Sequence, residues 1–168
     1  MIHLYTGDGK GKTSAALGLA LRAAGAGMRV FIGQFVKGMP YSEMELIRER
    51  IPEITLVQYG RGCFIRDAPT AEDVTAACAG LEDIRRRLAG TDFDVVVLDE
   101  VCIALYYGLF SLEVLFDVLN EGRREKEIVL TGRKAPVELI DFADLVTDMQ
   151  EIKHYYALGV KARKGIEY

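Results

Sequence analysis

The sequence predicts an α/β fold in which a mostly parallel sheet is flanked by helices on both faces, in one domain that covers residues 1–168. Apolar runs rich in β-branched residues alternate with helical patterns along the chain. One run, DVVVLDE at residues 94–100, is apolar at consecutive positions, as expected of a central parallel strand buried on both faces. With 168 residues, half of them hydrophobic, the chain can bury a sizeable core.

The first half of the chain predicts strands and helices in turn. Residues 2–5 predict a short buried strand, and residues 13–24 predict a helix rich in Ala and Leu that ends at Gly25 and Gly27. The next elements, separated by turn residues, are a strand at 29–36, a helix at 42–50 and a strand at 54–59.

The second half continues the alternation. Thr70 caps a long helix, because Asp73 three residues later completes a capping-box pattern, and Gly90 stops this helix. The remaining predicted elements are the strand at 94–100, a helix capped by Ser111 that reaches about Gly122, a strand leading into a turn at 127–133, and a short edge strand within 141–149.

Composition and charge exclude several classes of function. The net charge of −4 gives no electrostatic reason to expect a nucleic-acid or anionic-membrane partner. Cys63, Cys78 and Cys102 form no CxxC motif, so neither a zinc knuckle nor a disulfide framework is indicated. No apolar run approaches the roughly 20 residues of a membrane span, and no signal peptide precedes the first strand. We therefore expect a cytoplasmic protein with reduced thiols.

The stretch GDGKGKTS, residues 7–14, predicts a phosphate-binding loop between the first strand and the first helix. Glycines let a backbone approach a phosphate, and the amides and dipole of a helix N-terminus attract it. Lys12 supplies a charge, Thr13 a hydroxyl suited to Mg²⁺ and Lys10 a second cation. The usual pattern has a glycine where this sequence has Thr6. The predicted cradle consists of Gly7, Asp8, Gly9, Lys10, Gly11, Lys12, Thr13 and Ser14.

Two further groups end predicted strands and could face this loop. Asp99 and Glu100 end the central strand, where carboxylates commonly meet a metal ion or its water, and capping of the next helix is the alternative. Thr131 to Arg133, TGR, could reach the phosphate or form an ordinary turn. These residues indicate an enzyme that binds ATP or GTP. They do not indicate the reaction. A lone histidine is more often structural than catalytic, and we expect this of His3 in the first strand, while His154 lies near the C-terminus.

The sequence resembles the P-loop corrinoid adenosyltransferases, the cob(I)alamin adenosyltransferase type, over nearly its whole length. The similar stretches, in order, are YTGDGKGKTSAALGLALRAAG, VFIGQFVKG, VVVLDEVCIAL, IVLTGRKAP, ADLVTDM and the terminal IKHYYALGVKARKGIEY. The resemblance implies a P-loop NTPase-like, RecA-like fold. It also implies transfer of the 5′-deoxyadenosyl group of ATP to the Co(I) centre of a reduced corrinoid, with release of triphosphate.

The resemblance also implies how the site works. ATP lies in a reversed orientation along the loop, so the odd spacing is tolerated, and Co(I) is itself the nucleophile. The catalytic residues would be Lys12, Lys10, Thr13 and Glu100. Mg²⁺ or Mn²⁺ would be held at Thr13 and Glu100, with Asp99 as a further candidate. Arg22 matches a position near the nucleoside, although a solvated helix arginine is the alternative.

A corrinoid-facing segment is implied at YGRGCFIRD, residues 59–67. Family members displace the axial cobalt ligand there with a Phe-x-Trp pair, but this chain has no tryptophan. Phe64, helped by Ile65, is our candidate for the displacing group, and an ordinary core role for Phe64 is the alternative. The resemblance further implies a homodimer and a flavoprotein as the possible reductant. Many relatives have an N-terminal extension over the site, so here either another element, such as the partner subunit, closes the site or it is more open.

Two other functions fit the loop alone. A small-molecule kinase would share the cradle but release ADP, and would need Asp99 or Glu100 as a base near an acceptor hydroxyl. A non-catalytic protein that senses nucleotide or delivers the corrinoid would bind ATP without consuming it. The sequence leaves open whether cobalamin or cobinamide is the substrate and whether the role is biosynthesis or salvage.

Overall fold

The fold is known from a computed structural model that describes residues 1–62, 65 and 68–168. In this part of the chain a sheet of six strands has the order β3-β2-β4-β5-β1-β6, and every pairing is parallel. The strands are β1 Ile2–Thr6, β2 Val30–Gln34, β3 Ile54–Gln58, β4 Val95–Asp99, β5 Glu127–Thr131 and β6 Leu145–Asp148. The central position of β4 and the edge position of β6 confirm the sequence predictions.

The helices lie between the strands, as the alternating pattern predicts. They are α1 Lys12–Gly25, α2 Ser42–Arg50, α3 Ala71–Ala89, α4 Val101–Tyr106, α5 Leu112–Gly122 and α6 Val137–Phe142, with a 3-10 helix at Tyr155–Leu158. Thr70 and Asp73 form the expected capping box of α3, and the Ser111 hydroxyl caps α5. The short helices α4 and α6 and the 3-10 helix were not predicted. No helix of the described residues is long and apolar enough to cross a membrane.

Alternating side chains of the strands bury two apolar cores, one on each face of the sheet. On β4, Val96 and Leu98 join the core that contains residues of α3 and α5, whereas Val95 and Val97 join the core beneath α1 and α2. All of β4 is buried. The prediction of helices on both faces of a mostly parallel sheet is therefore confirmed, because a strand with apolar residues on both sides requires cover on both.

The parallel register brings the carboxyl ends of the strands to one edge of the sheet, where α/β proteins bind ligands. Gln34 at the end of β2 pairs with Asp99 at the end of β4. Val36, Glu100 and Lys134, which follow β2, β4 and β5, have left-handed backbones with φ of 59°, 59° and 62°. The predicted strand at 29–36 was too long, because β2 ends at Gln34 and the chain turns sharply at Val36.

Candidate active site

The loop between β1 and α1 is packed tightly against the end of β6. A Cβ on Gly9 would lie 2.6 Å from Met149 O, and a Cβ on Gly7 would lie 2.5 Å from the same atom. Gly9 N donates a 2.6 Å hydrogen bond to Met149 O, and Met149 N donates to Thr6 O. Gly7 and Gly11 also have positive φ, of 92° and 120°. Gly7 and Gly9 are thus needed for contact with the protein's own backbone, in addition to the predicted approach of a phosphate.

Lys12 begins α1 and is buried, with 8% of its surface exposed. Its ammonium donates to Gly7 O and Gly9 O, each at 2.6 Å, so the side chain is folded back over the loop. Burial lowers the pKa of Lys12, and the charge of Glu100 acts against that shift. The loop therefore holds a cation directly beneath the cavity that it lines.

A buried cluster lies beside the loop, at the end of β4. Asp99 is 1% exposed, and each of its carboxylate oxygens accepts two hydrogen bonds from described residues. The buried cluster consists of Asp99 and its donors Thr13 (2.9 Å), Gln34 (3.1 Å), Lys37 (2.7 Å) and Thr131 (2.7 Å). Burial alone would lower the pKa of Lys37, but the charge and hydrogen bond of Asp99 outweigh it and raise that pKa.

The end of β5 and the turn that follows it reach this cluster, so TGR both forms a turn and lies beside the cavity. Thr131 Oγ1 donates to Asp99 and accepts a 2.9 Å hydrogen bond from Glu100 N. A Cβ on Gly132 would lie 2.8 Å from Cys102 Cβ, so the turn fits closely against α4. Arg133 lines the cavity.

Glu100, next to Asp99 in the sequence, is one of the carboxylates that line the cavity. Burial, and next the charge of Asp99, raise the pKa of Glu100, while Lys37, Lys12 and Arg133 oppose the shift. Asp99 has its lone pairs occupied by protein donors, so it can orient the Thr13 hydroxyl but offers little to a metal ion. Of the predicted metal-site residues Thr13, Asp99 and Glu100, this leaves Thr13 and Glu100 as oxygen donors at the cavity.

That donor set fits Mg²⁺ or Mn²⁺ better than a softer metal. Among the described residues no group of three or more His, Cys, Asp or Glu side chains is arranged to hold a metal ion. Mg²⁺ is usually bound by one or two carboxylates together with phosphate oxygens, so a full protein cage is not required. The residues present suit an ion that arrives with a nucleotide.

Lys10 lies in a surface cluster on the other side of the loop. Its ammonium donates to Tyr155 Oη at 2.8 Å, Ile166 O at 3.0 Å and Glu167 Oε1 at 2.8 Å. The surface cluster consists of Lys10, Tyr155, Arg163 and Glu167. The predicted second cation of the cradle is therefore directed at the C-terminal segment of the chain.

A cavity of about 700 Å³ lies above the loop, a size that suits a nucleotide. Its lining includes the predicted residues Asp8 to Ser14 together with Glu100, and it adds Lys37, Arg133, the start of α2 and the C-terminal segment. Arg22 is exposed in the last turn of α1 and is absent from the described lining.

A second cavity, of about 180 Å³, adjoins the first. Lys37, Glu100 and Arg133 line both, and Ile65 contributes an apolar wall to the second. Its other described lining residues are Val36, Ile103, Tyr106, Tyr107 and Lys134. Val36, Glu100 and Lys134, the left-handed residues, all lie here, and strained backbone of this kind clusters at functional sites. Phe64 and Cys63 lie outside the described residues.

Sequence reasoning missed Gln34, Lys37, Tyr155 and Glu167. A signal existed for the first two, because they are polar residues within and just after an apolar strand that ends at the predicted ligand edge. His3 has a structural contact, as expected, whereas His154 lines the first cavity. His3 Nε2 lies 2.9 Å from Glu127 Oε2, and His154 Nδ1 accepts a hydrogen bond from Tyr156 N.

An all-parallel sheet whose first strand passes through a glycine-rich loop into a helix, beside a strand-end carboxylate, defines a P-loop nucleotide-binding protein. Residues 1–168 match the family described as ATP:corrinoid adenosyltransferase BtuR/CobO/CobP, and the chain belongs to this family. The resemblance found in the sequence motifs is thereby confirmed.

Curated relatives agree with this assignment. The chain is 36% identical over 170 residues to the corrinoid adenosyltransferase of Escherichia coli K12, a match that covers 100% of the chain and 85% of the relative. The corrinoid adenosyltransferase CobA of Salmonella typhimurium matches with the same identity and coverage. That of Pseudomonas aeruginosa is 36% identical over 169 residues, which cover 100% of the chain and 83% of the relative.

Proposed function

We propose that the protein transfers the 5′-deoxyadenosyl group of ATP to the Co(I) centre of a reduced corrinoid, cobalamin or cobinamide, and releases triphosphate. The observation that carries this proposal is the pair of adjoining cavities, which share Lys37, Glu100 and Arg133 as a common wall. A displacement needs a space for the nucleotide on the loop and, beside it, a place at which the reacting part of the acceptor can approach. The second cavity, of about 180 Å³, offers such a place for part of the acceptor and not a volume for the whole of it.

The reaction needs alignment and charge stabilisation rather than a protein nucleophile. The electron pair of Co(I) attacks the ribose C5′, the C5′–O bond breaks, and its electron pair leaves with the triphosphate. The new Co–C bond leaves cobalt formally as Co(III), and no proton is transferred. This accounts for a site rich in cations and without a Ser-His-Asp arrangement among its described residues.

Residues of the chain supply the positive charge that the departing triphosphate requires. Lys12 and the loop amides lie at the base of the cavity, and Arg133 lies at its junction with the second cavity. Thr13 and Glu100 would hold Mg²⁺ or Mn²⁺, which when bound neutralises phosphate charge. Asp99 fixes the direction of the Thr13 hydroxyl, which donates a 2.9 Å hydrogen bond to its carboxylate.

On the corrinoid side, we propose that Phe64 and Ile65 displace the axial ligand of cobalt. Ile65 lines the second cavity, and its carbonyl accepts a 2.9 Å hydrogen bond from Tyr107 Oη. We expect Phe64→Ala to lose activity on Co(II) substrate with a reductant but to retain it on Co(I) generated chemically. Equal activities of variant and parent on both substrates would refute a role for Phe64.

The decisive experiment is an anaerobic assay with Mg-ATP and chemically generated cob(I)alamin, followed by the visible spectrum and by identification of the phosphate product. We expect adenosylcobalamin together with triphosphate. ADP with an unchanged corrinoid spectrum would refute the proposal in favour of a kinase. ATP that is bound but not consumed, with either cobalamin or cobinamide, would favour a sensor or a delivery protein.

Family resemblance also supports proposals about the setting of the enzyme. We propose a homodimer that uses electrons from a flavoprotein, in a cytoplasmic location where Co(I) can be maintained. Light scattering coupled to size-exclusion chromatography tests the dimer. A monomer at micromolar concentration would contradict it and would leave the reaction itself unaffected.

A further inference from the structure

The C-terminal segment, residues 150–168, forms one wall of the nucleotide cavity although little of it is buried. Its 3-10 helix has no buried residue, and Tyr156 and Leu158 are 78% and 74% exposed. The parts of the segment that line the cavity are Glu151, His154, Tyr156, Ala157 and residues 165–168. Apolar packing therefore contributes little to its placement, and polar contacts have to hold it.

Those polar contacts converge on Lys10 of the phosphate loop. Lys10 is separated by 145 residues from Tyr155 and by 157 from Glu167, yet it donates to both at 2.8 Å. It also donates to Ile166 O. The phosphate loop and the C-terminal segment are thus joined through one ammonium group.

Glu167 is the centre of this surface cluster. Its carboxylate accepts hydrogen bonds from Lys10, Tyr155 Oη and Arg163 N. Lys10 first, and then Tyr155, hold the pKa of Glu167 well below its usual range, so the group is a carboxylate at neutral pH. The Tyr155 ring also lies under two cations, Lys10 at 5.6 Å and Arg163 at 5.2 Å.

The far end of the segment is attached to a different element. Ser42 Oγ, at the start of α2, donates a 3.0 Å hydrogen bond to Tyr168 O. Residues 166–168 therefore contact both the phosphate loop and α2, and both of those elements line the same cavity. A segment held against two elements that line one cavity forms part of its wall.

We infer that Glu167 is a positioning residue of the nucleotide site, which acts through Lys10 to fix the C-terminal segment as a wall across the bound ATP. This deepens the proposed function and rests on it. The ammonium of Lys10 donates its hydrogen bonds to the C-terminal segment. Lys12 and Arg133 therefore provide the positive charge that faces the triphosphate. Glu167 itself touches no reacting atom, and its contribution is to ATP affinity.

The test compares Glu167→Ala and Glu167→Gln with the parent protein. Loss of a charge-assisted hydrogen bond is expected to raise the KM for ATP roughly tenfold in Glu167→Ala, with kcat at saturating ATP retained. Glu167→Gln keeps the shape and an acceptor oxygen, so its KM for ATP should lie between those of the parent protein and Glu167→Ala. Glu121→Ala is the matched control, because Glu121 forms an exposed ion pair with Arg85 at 3.4 Å and lines neither cavity.

A double-variant cycle with Lys10→Met shows whether Glu167 acts through Lys10. If it does, Glu167→Ala has no further effect on KM in the Lys10→Met background. If instead the KM of the double variant rises by the product of the two single-variant factors, the two residues act independently and the inference is wrong. Hydrogen exchange of the Arg163 amide, which donates to Glu167 Oε2 at 2.7 Å, should become faster in Glu167→Ala.

Calorimetric titration with ATP alone separates failure of this inference from failure of the proposed function. Parent protein that binds no ATP would refute the proposed function. Parent and Glu167→Ala proteins that bind ATP equally well would overturn the inference and leave the proposed function standing. A fall in kcat with unchanged KM would also overturn it, since it would place Glu167 in the chemical step.

Discussion

The buried cluster and the surface cluster lie on either side of the same loop, yet they are built in opposite ways. In the buried cluster Lys37 and Asp99 are ion-paired at 2.7 Å with side chains 9% and 1% exposed. In the surface cluster Lys10 and Glu167 are ion-paired at 2.8 Å with side chains 39% and 19% exposed. The distances are nearly equal, so the difference lies in what surrounds each pair.

Because of that difference, we expect the buried cluster to matter for global stability and the surface cluster to matter for function. A buried ion is costly once its partner is removed, whereas an exposed pair contributes little to global stability because water replaces the partner. The buried cluster is therefore expected to determine whether the end of β4 and the loop fold together. The surface cluster is expected to determine where the C-terminal segment lies. Four variants or conditions test this contrast, from the largest expected effect to the smallest.

Asp99→Ala is expected to have the largest effect. It leaves the Lys37 ammonium buried without its counter-charge and removes the acceptor of Thr13 and Thr131. We expect a loss of about 3–5 kcal/mol in the free energy of unfolding, measured by urea denaturation. If the variant does not fold, replacement of both charges, in Lys37→Met with Asp99→Leu, should restore folding. A loss no larger than that of Glu167→Ala would contradict the contrast.

Gly9→Ala tests the loop that separates the two clusters. The added Cβ would lie 2.6 Å from Met149 O, which is backbone of the segment after β6 and cannot move aside cheaply. We expect the free energy of unfolding to fall by about 1–3 kcal/mol. Gly18→Ala is the matched control, because Gly18 lies in α1 with no atom within 4 Å of its Cβ position, and this variant should be slightly stabilised. Equal changes would show that the contact is unimportant.

Thr131→Val removes one hydroxyl from the buried cluster while keeping its shape. The change leaves Glu100 N without its acceptor and Asp99 without one donor. We expect a cost of about 1–2 kcal/mol, measured by thermal unfolding. The rate with Co(I) substrate should also fall, since Glu100 is positioned through this hydroxyl. If Thr131→Val is as active and as stable as the parent protein, the Thr131 hydroxyl has no role in positioning Glu100.

Salt and moderate changes of pH should affect the surface cluster more than the buried cluster, and this effect should be the smallest of the four. Hydrogen bonds from Lys10, and next from Tyr155 and Arg163, lower the pKa of Glu167 from 4.5. The contribution of Glu167 to holding the C-terminal segment is therefore complete above pH 4.5 and is lost as the pH falls further. Bonds to Glu167 raise the pKa of Lys10 from 10.5, so its contribution is complete below pH 10.5 and is lost as the pH rises beyond that.

Within that window, we expect 1 M salt to speed trypsin cleavage after Arg163 or Lys164, because screening weakens exposed pairs. The urea midpoint of the parent protein should change much less. Cleavage that is insensitive to salt at pH 7 but follows global unfolding would show that the C-terminal segment is held by the fold as a whole.

The sequence was sufficient for most of the fold because local signals were strong. Apolar runs located the strands of the sheet, and Thr70 and Ser111 located two helix starts by their capping chemistry. The short helix α4 was missed because it begins directly after β4, at Glu100 in a left-handed conformation. It has no side-chain cap, so the sequence carries no capping signal for its start. The second strand was extended too far because Val36 is a strong strand former placed in a turn.

The candidate site was predicted only where its residues are neighbours in the sequence. The loop with Lys12 and Thr13, and the carboxylates that follow β4, were found from motifs. Lys37 was not, because only the parallel register of β2 with β4 places it beside Asp99. Glu167 was not, because its partner Lys10 is 157 residues away and no local pattern records such a contact.

The left-handed residues Val36, Glu100 and Lys134 have a consequence for attempts to make the protein tolerate heat. A non-glycine residue in this conformation is unfavourable, and the Lys134 side chain is exposed, so glycine at position 134 would relieve strain at little cost in packing. A laboratory selection for survival at high temperature should therefore reach these positions early. Because all of them line the cavity beside Glu100, the hardier proteins from such a selection should be the slower catalysts.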